Sequence, residues 1–399
     1  MITKIRNHFN NLNLDVRRTR FSRFMDQKVT PDVVCFIADC IENFVAGEPE
    51  KEFSASGIWK SQYFEKNVRA IFGKPSPTNP DASNEYDKFL NQPLRMLHYA
   101  GILDSRKEGI TYYYRVKESE ILEFISIKER NTLCFLYEYL LKVLTDSGLI
   151  GYFDGYERLY HEKKLNENEY QRLKVKFQNF MRGNTPINGI TEINRIFPKV
   201  LNIIANFRNL PGSVKGHLSK DIYPFYDLMY NRVNFRDLTK LKSITRQEEQ
   251  ERKENIEQQE EFNEYQIQKA MTIIRKKYRE SEVRDSLAGT GTADYVHHIF
   301  PRGGFPQLAH YLENLIKLNA AQHSKSHPGG NTQVVDKDYQ LVCLISKSES
   351  IRKSLQRNEF LYSKESFVYV INEGLEASLD PGLSFRDIQL ELNQIYKRG

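Results

Sequence analysis

The sequence predicts a mainly α protein with small β elements, an α+β class, and three observations carry that expectation. Apolar residues recur at helical spacing along most of the chain, strand-like text is confined to short runs beside glycines, and 40% of the 399 residues are apolar. That length is enough for two or three domains with cores of their own. With 28% charged residues and a mean hydropathy of −0.60, the composition is that of a polar globular protein rather than a disordered one. No stretch approaches the roughly 18 apolar residues of a membrane span, and the opening MITKIRNHFNN lacks the apolar core of a signal peptide. A cytoplasmic protein with no membrane partner is expected.

The elements follow in order. PDVVCFIADCIENFVA (31–46) opens with Pro then Asp and reads as a core helix. GIWKSQYFEKNVRAIFGK reads as one helical stretch ending at Gly73, and PSPTNPDASN, with its three prolines, as an extended loop. NEYDKFLNQPLRMLHYAGIL predicts a helix stopped at Gly101, and LDSRKEGITYYYRVKES a hairpin turning at Gly109. Of Tyr112, Tyr113 and Tyr114, which alternate faces, at least one should pack inward. Helix, helix, hairpin is the order of a winged helix-turn-helix, so residues 1–126 are expected to form a winged-helix-like module.

From Ile121 to about Tyr170 the chain reads as helical and aromatic, with an architectural role. Residues 170–246 hold 14 Lys and Arg against 4 Asp and Glu, more net positive charge than the +6 of the whole chain. These residues give a helical basic middle region, 127–246. Residues 247–270 reverse the balance, 3 basic against 8 acidic, and lack a sustained heptad. They predict a solvated connecting helix within 247–285, followed by a C-terminal domain, 286–399, ending in a helical extension.

Four cysteines, Cys35, Cys40, Cys134 and Cys343, form no CxxC pair and read as buried thiols. Five of the nine histidines, by contrast, fall within 31 residues. In DYVHHIFPRGGFPQLAHYLENLIKLNAAQHSKSHPGG, YVHHIF suits a strand, PRGGFP a loop and NLIKL a second strand. NAAQHSKSH suits a short helix with Asn319 as N-cap, stopped by Pro328 and Gly329. His323 and His327, at i and i+4, share a helical face, which is a metal-ligand spacing. His297 and His298 on a strand point to opposite sides, so one can bind a metal while the other addresses water or substrate. The Asn314 amide accepts and donates at once and could tie strand, loop and strand together around His298. His310 is expected to be exposed. Two plainer readings stay open: strand histidines packed in a core beside a solvated helix, or a purely structural zinc site.

This text resembles the HNH endonucleases of ββα-metal fold. The match is His298, fifteen residues, Asn314, eight residues, His323, with His297 before and His327 four positions beyond. It is most similar to the double-histidine variants with a paired HxxxH, as in the colicin nuclease domains, and spans Thr290 to Gln333. The resemblance implies that His298 is the general base, that His297, His323 and His327 bind one divalent ion per site (Mg2+, with Mn2+, Ni2+ or Zn2+ as alternatives), and that Asn314 is structural. Asn319 and Gln322 stand where the family often carries zinc-knuckle cysteines, so a second, structural zinc is not expected.

Basic residues supply the expected contacts to double-stranded DNA. In the winged-helix-like region these are Lys88, Arg95, Arg106, Lys107 and Arg115. Arg17, Arg18, Arg20 and Arg23 form either a minor-groove arm or a surface helix with Phe21 and Phe24 buried. In the turn-rich texts LPGSVKGHLSKD and YNRVNFRD and just beyond them, Lys215, Lys220, Arg232, Arg236, Lys240 and Lys242 would grip phosphates. Arg302 or Lys325 could add charge at the scissile group.

Other nuclease signatures fail: Asn168 stands where a phospholipase D-type motif after His161 and Lys163 needs Asp, and no GxxxxGK[ST] appears. The expectation is a type II restriction endonuclease that leaves 5′-phosphate and 3′-hydroxyl ends, acts as a homodimer at least on DNA, and accompanies a cognate DNA methyltransferase. A catalytically inactive DNA-binding regulator and an HNH toxin or homing-type nuclease are the alternatives.

Overall fold

In a computed structural model the described residues are 1–74, 76–77, 83–187, 189–230, 246–287, 292–332 and 334–398, without the side chains of 83–85, 246–257 and 398. Arg232, Arg236, Lys240, Lys242 and most of PSPTNPDASN lie outside the described residues. The chain is mostly helical, with a few small antiparallel sheets. It divides into two compact units, Met1–Lys242 and Ser243–Gly399.

The first unit opens with α1 (Ile2–Asn10), α2 (Val16–Thr19) and α3 (Pro31–Val45). Helix α3 carries Pro at its first turn and buries most of its residues, as its apolar spacing predicts. Then come β1 (Phe53–Ser54), α4 (Ala55–Trp59), α5 (Gln62–Phe72), α6 (Ser83–Tyr99), β2 (Leu103–Glu108) and β3 (Thr111–Val116). The single helix expected from Gly57 to Lys74 is instead two. Ser61 starts α5 by accepting the Phe64 N–H, an N-cap inside text whose apolar pattern runs on unbroken. Strand β3 pairs with both β2 and β1, giving a three-stranded sheet. Tyr114 is the inward tyrosine, buried and stacked on Phe53.

Helices α7 (Ser119–Ile127), α8 (Glu129–Asp146), α9 (Ile150–His161), α10 (Glu167–Asn184) and α11 (Ile190–Arg208) follow, with α3 packed on α7 and α8, and α8 on α11. The text read as turn-rich at 210–221 is an antiparallel hairpin, β4 (Pro211–Val214) and β5 (His217–Ile222). Its turn falls at Lys215–Gly216, where both residues have positive φ.

The second unit begins with α12 (Arg246–Lys277). The connecting helix is thus longer than the acidic run, and it is not solvated throughout: Tyr265, Ile267, Ala270 and Ile274 are buried, and the helix packs on the strand pair that follows. That pair is β6 (Tyr295–His298) and β7 (Leu315–Leu318), with His297 opposite Ile316 and His298 opposite Leu315. Helix α13 (Ala320–Ser326) comes next, capped reciprocally by Asn319 and Gln322. The unit ends with α14 (Lys337–Gln356), α15 (Lys364–Leu375) and α16 (Phe385–Arg398). No helix among the described residues is long and apolar enough to cross a membrane.

Candidate metal and catalytic site

The strand pair sets the site because alternation along β6 sends His297 to one face and His298 to the other. His297 is 3% exposed and meets His323 and His327 with ring centroids 5.6 and 4.8 Å away. The rings of His323 and His327 are 5.0 Å apart, and one nitrogen from each of the three histidines lies within 4.8 Å of the others. The helix ends at Ser326, so His323 rides on α13 while His327 occupies the residue after it with φ −124° and ψ 87°. The pair expected on one helical face therefore converges by a different route. The turn after α13 swings His327 inward, where its Nδ1 donates to the Val334 carbonyl at 2.9 Å. That bond leaves Nε2 of His327 as the free lone pair.

His297 Nε2 is a buried polar atom with no hydrogen-bond partner. Such an atom costs about 1–3 kcal/mol unless something occupies its lone pair. Burial first, then the facing imidazoles, push His297 down to about 3, and burial also lowers His323. Two of these imidazoles thus favour the neutral form that a metal needs, and the orphaned nitrogen fits an ion held by His297, His323 and His327.

On the opposite face, His298 Nε2 donates to the Ala309 carbonyl at 3.1 Å. A carbonyl only accepts, so the proton is on Nε2 and Nδ1 keeps its lone pair. Burial lowers the His298 pKa, partly offset by that hydrogen bond. The loop carrying Ala309 is tied by Asn314, which is fully buried. Its Oδ1 accepts from the Phe300 N–H at 2.9 Å, and its Nδ2 donates to the carbonyls of Phe300 (3.1 Å) and Leu308 (3.2 Å). His310, expected to be exposed, is half-buried against Tyr311, and burial lowers its pKa. The loop folds back over the strands instead of projecting from them.

Several contacts that support the site were not expected from the sequence. Tyr295 stacks on His323, and its position two residues before His297 was the available signal. Gln322, also fully buried, accepts from Ser281 Oγ and donates to the Val283 carbonyl and to Asp285. Asn319 Nδ2 donates to the Leu287 carbonyl, so amides bind α13 to the segment before β6. Glu282 accepts the Lys317 N–H on β7 and pairs with Lys347 of α14, both side chains wholly buried.

The basic residues are dispersed. Lys88, Arg95, Lys107, Lys215 and Lys220 are exposed, with Arg95 and Lys107 both near the Tyr112 ring. Arg106 is held by Glu52 and Glu108, and Arg115 by Glu50. Arg17 is bound to Asp15, Arg23 to Asp26, and Phe24 is buried. In the second unit Arg302 pairs with Glu264 at 2.7 Å, and Lys325 lies over the Tyr339 ring. Compared with known proteins, the chain matches no family model, no curated protein and no solved structure.

Proposed function

We propose that the chain is a metal-dependent DNA endonuclease, with an HNH catalytic unit of ββα-metal kind in Ser243–Gly399 and a DNA-recognition unit that includes a winged-helix-like module. The observation that carries this reading is the division of β6 between two chemistries. On one face His297 joins a histidine triad with an orphaned nitrogen, and on the other His298 has its Nε2 committed and its Nδ1 open. The strand, strand, helix order around them supports the same reading.

A divalent ion held by His297, His323 and His327 would supply Lewis-acid stabilisation of charge on the phosphate and the leaving 3′ oxygen. Three imidazoles without a carboxylate suit Zn2+ or Ni2+ better than Mg2+, which prefers oxygen ligands, so the proposal ranks those ions ahead of the Mg2+ expected from the sequence. His298 Nδ1 takes a proton from water as its oxygen bonds to phosphorus and the bond to the 3′ oxygen breaks. The 3′ oxygen leaves as an alkoxide and takes a proton from solvent water, giving a 5′-phosphate and a 3′-hydroxyl. Asn314 fixes the loop whose Ala309 carbonyl orients the base. Arg302, paired with Glu264, would add positive charge beside the phosphate.

Double-stranded DNA is the partner, met by Lys88, Arg95, Lys107, Lys215 and Lys220 as phosphate and groove contacts. One site cuts one strand, so a double-strand break calls for a homodimer on DNA. A type II restriction role, with a cognate methyltransferase in the same system, is the form of this activity we favour. The test is plasmid cleavage by the full chain with Zn2+, Ni2+, Mn2+ or Mg2+, with and without chelator. Discrete fragments lost in His298→Ala are expected, and a variant that still cuts removes His298 from the role of base.

A further inference from the structure

The three histidines of the triad are held in three different ways. His297 is fixed by burial within β6, and His327 by its bond to the Val334 carbonyl. His323 is the partly exposed member, and among the described residues its side chain makes no hydrogen bond. Its imidazole lies instead flat against Tyr295, with centroids 4.5 Å apart and planes 19° from parallel. An imidazole on a helix surface has a broad torsion about its Cβ–Cγ bond, and a parallel ring on one side narrows it.

The backbone gives Tyr295 the leverage to do this. It sits two residues before His297, on the same face of β6, and pairs across the sheet with Leu318. Leu318 immediately precedes Asn319, the cap of α13, so the tyrosine and the helix that carries His323 share one rigid corner. Tyr295 is 45% exposed, with its ring stacked on His323.

We propose that Tyr295 is the positioning residue for His323: its ring sets the imidazole plane so that a nitrogen faces His297 and His327 before any ion arrives. The inference rests on the triad being a metal site. It assigns the work to the ring and none to the hydroxyl.

The test uses the full chain and the metal alone. Zn2+ binding is measured by calorimetry, and Co2+ binding by its visible absorption, for wild type, Tyr295→Phe and Tyr295→Leu. Tyr295→Phe should match wild type in affinity and spectrum. Tyr295→Leu should bind about tenfold more weakly, with shifted cobalt bands. In a His323→Ala background Tyr295→Leu should cause no further loss, which separates positioning from general destabilisation. Wild-type affinity and spectrum in Tyr295→Leu overturn the inference and leave the metal site standing. An equal loss in Tyr295→Phe also overturns it, because the hydroxyl would then be responsible. A wild-type chain that binds neither ion overturns the metal reading itself.

Discussion

Asn314 hydrogen-bonds both the N–H and the carbonyl of Phe300, closing a two-way bridge between the residue that ends the loop and the residue two beyond His298. The third bond, to the Leu308 carbonyl, pulls in the loop segment whose next carbonyl holds His298. The bridge and the base are therefore one mechanical unit.

Replacing Asn314 with Ala leaves a buried N–H and two buried carbonyls without their side-chain partner. We expect the second unit to lose roughly 3 kcal/mol in a denaturant melt. Asn314→Asp turns the donor into an oxygen facing the Phe300 and Leu308 carbonyls in a fully buried site, so it should cost at least as much as Asn314→Ala. Equal melts for wild type and Asn314→Ala would contradict the assigned bridge.

Proton release on metal binding reports the state of the triad. The sign follows from His297: its folded pKa of about 3 is far below the ordinary 6.5, so at pH 6 it already carries no proton to give up. Protons therefore compete with the ion for His297 only as the pH approaches 3. Calorimetry in buffers of different ionisation enthalpy should give no more than two protons released per ion at pH 6. A count of three would show that burial does not keep His297 neutral.

A Cβ at Gly374 would lie 2.4–2.5 Å from three atoms of the Phe300 ring. Helix α15 thus presses its backbone on the residue that Asn314 bridges. Gly374→Ala should destabilise the second unit by about 1–3 kcal/mol and, if the proposed activity holds, depress cleavage without altering metal affinity. A stabilised variant, the usual outcome of Gly→Ala within a helix, would refute the contact.

The Lys347–Glu282 pair is wholly buried, with Lys347 also donating to Tyr362 at 2.8 Å. Removing one partner strands the other charge away from water. Lys347→Met alone should cost about 3–5 kcal/mol, and adding Glu282→Gln should restore much of it. Additive losses in that double variant would mean that the charges are not coupled.

What the sequence made legible was local. The Asn319 cap of α13, the alternation that parts His297 from His298, and the Pro-led start of α3 each depend on residues a few positions apart. Contacts made across long separations were not legible. Arg106 meets Glu52 and Arg115 meets Glu50 only because β1 and its approach return to the hairpin, and no local pattern marks either carboxylate as a partner. The carbonyls of Ala309 and Val334 decide which nitrogen of each histidine is free, yet every residue has a carbonyl and the sequence singles out neither. The hairpin at 211–222 was obscured by its glycines and its exposed outer residues, which give β4 and β5 no apolar alternation to read.

The joint between α13 and the segment before β6 is made from Asn319, Gln322, Ser281 and Asp285. Amides, hydroxyls and carboxylates do not oxidise under conditions that convert thiolates to disulfides or sulfinic acids. Cys343, one of the four buried cysteines, lies beside this corner near Asp285 and Ser326, but burial raises its thiol to about 12 and so keeps it in the unreactive protonated form. Peroxide that would dismantle a thiolate-bound corner has no such target here, so the scaffold around the histidines should keep its shape under oxidative stress.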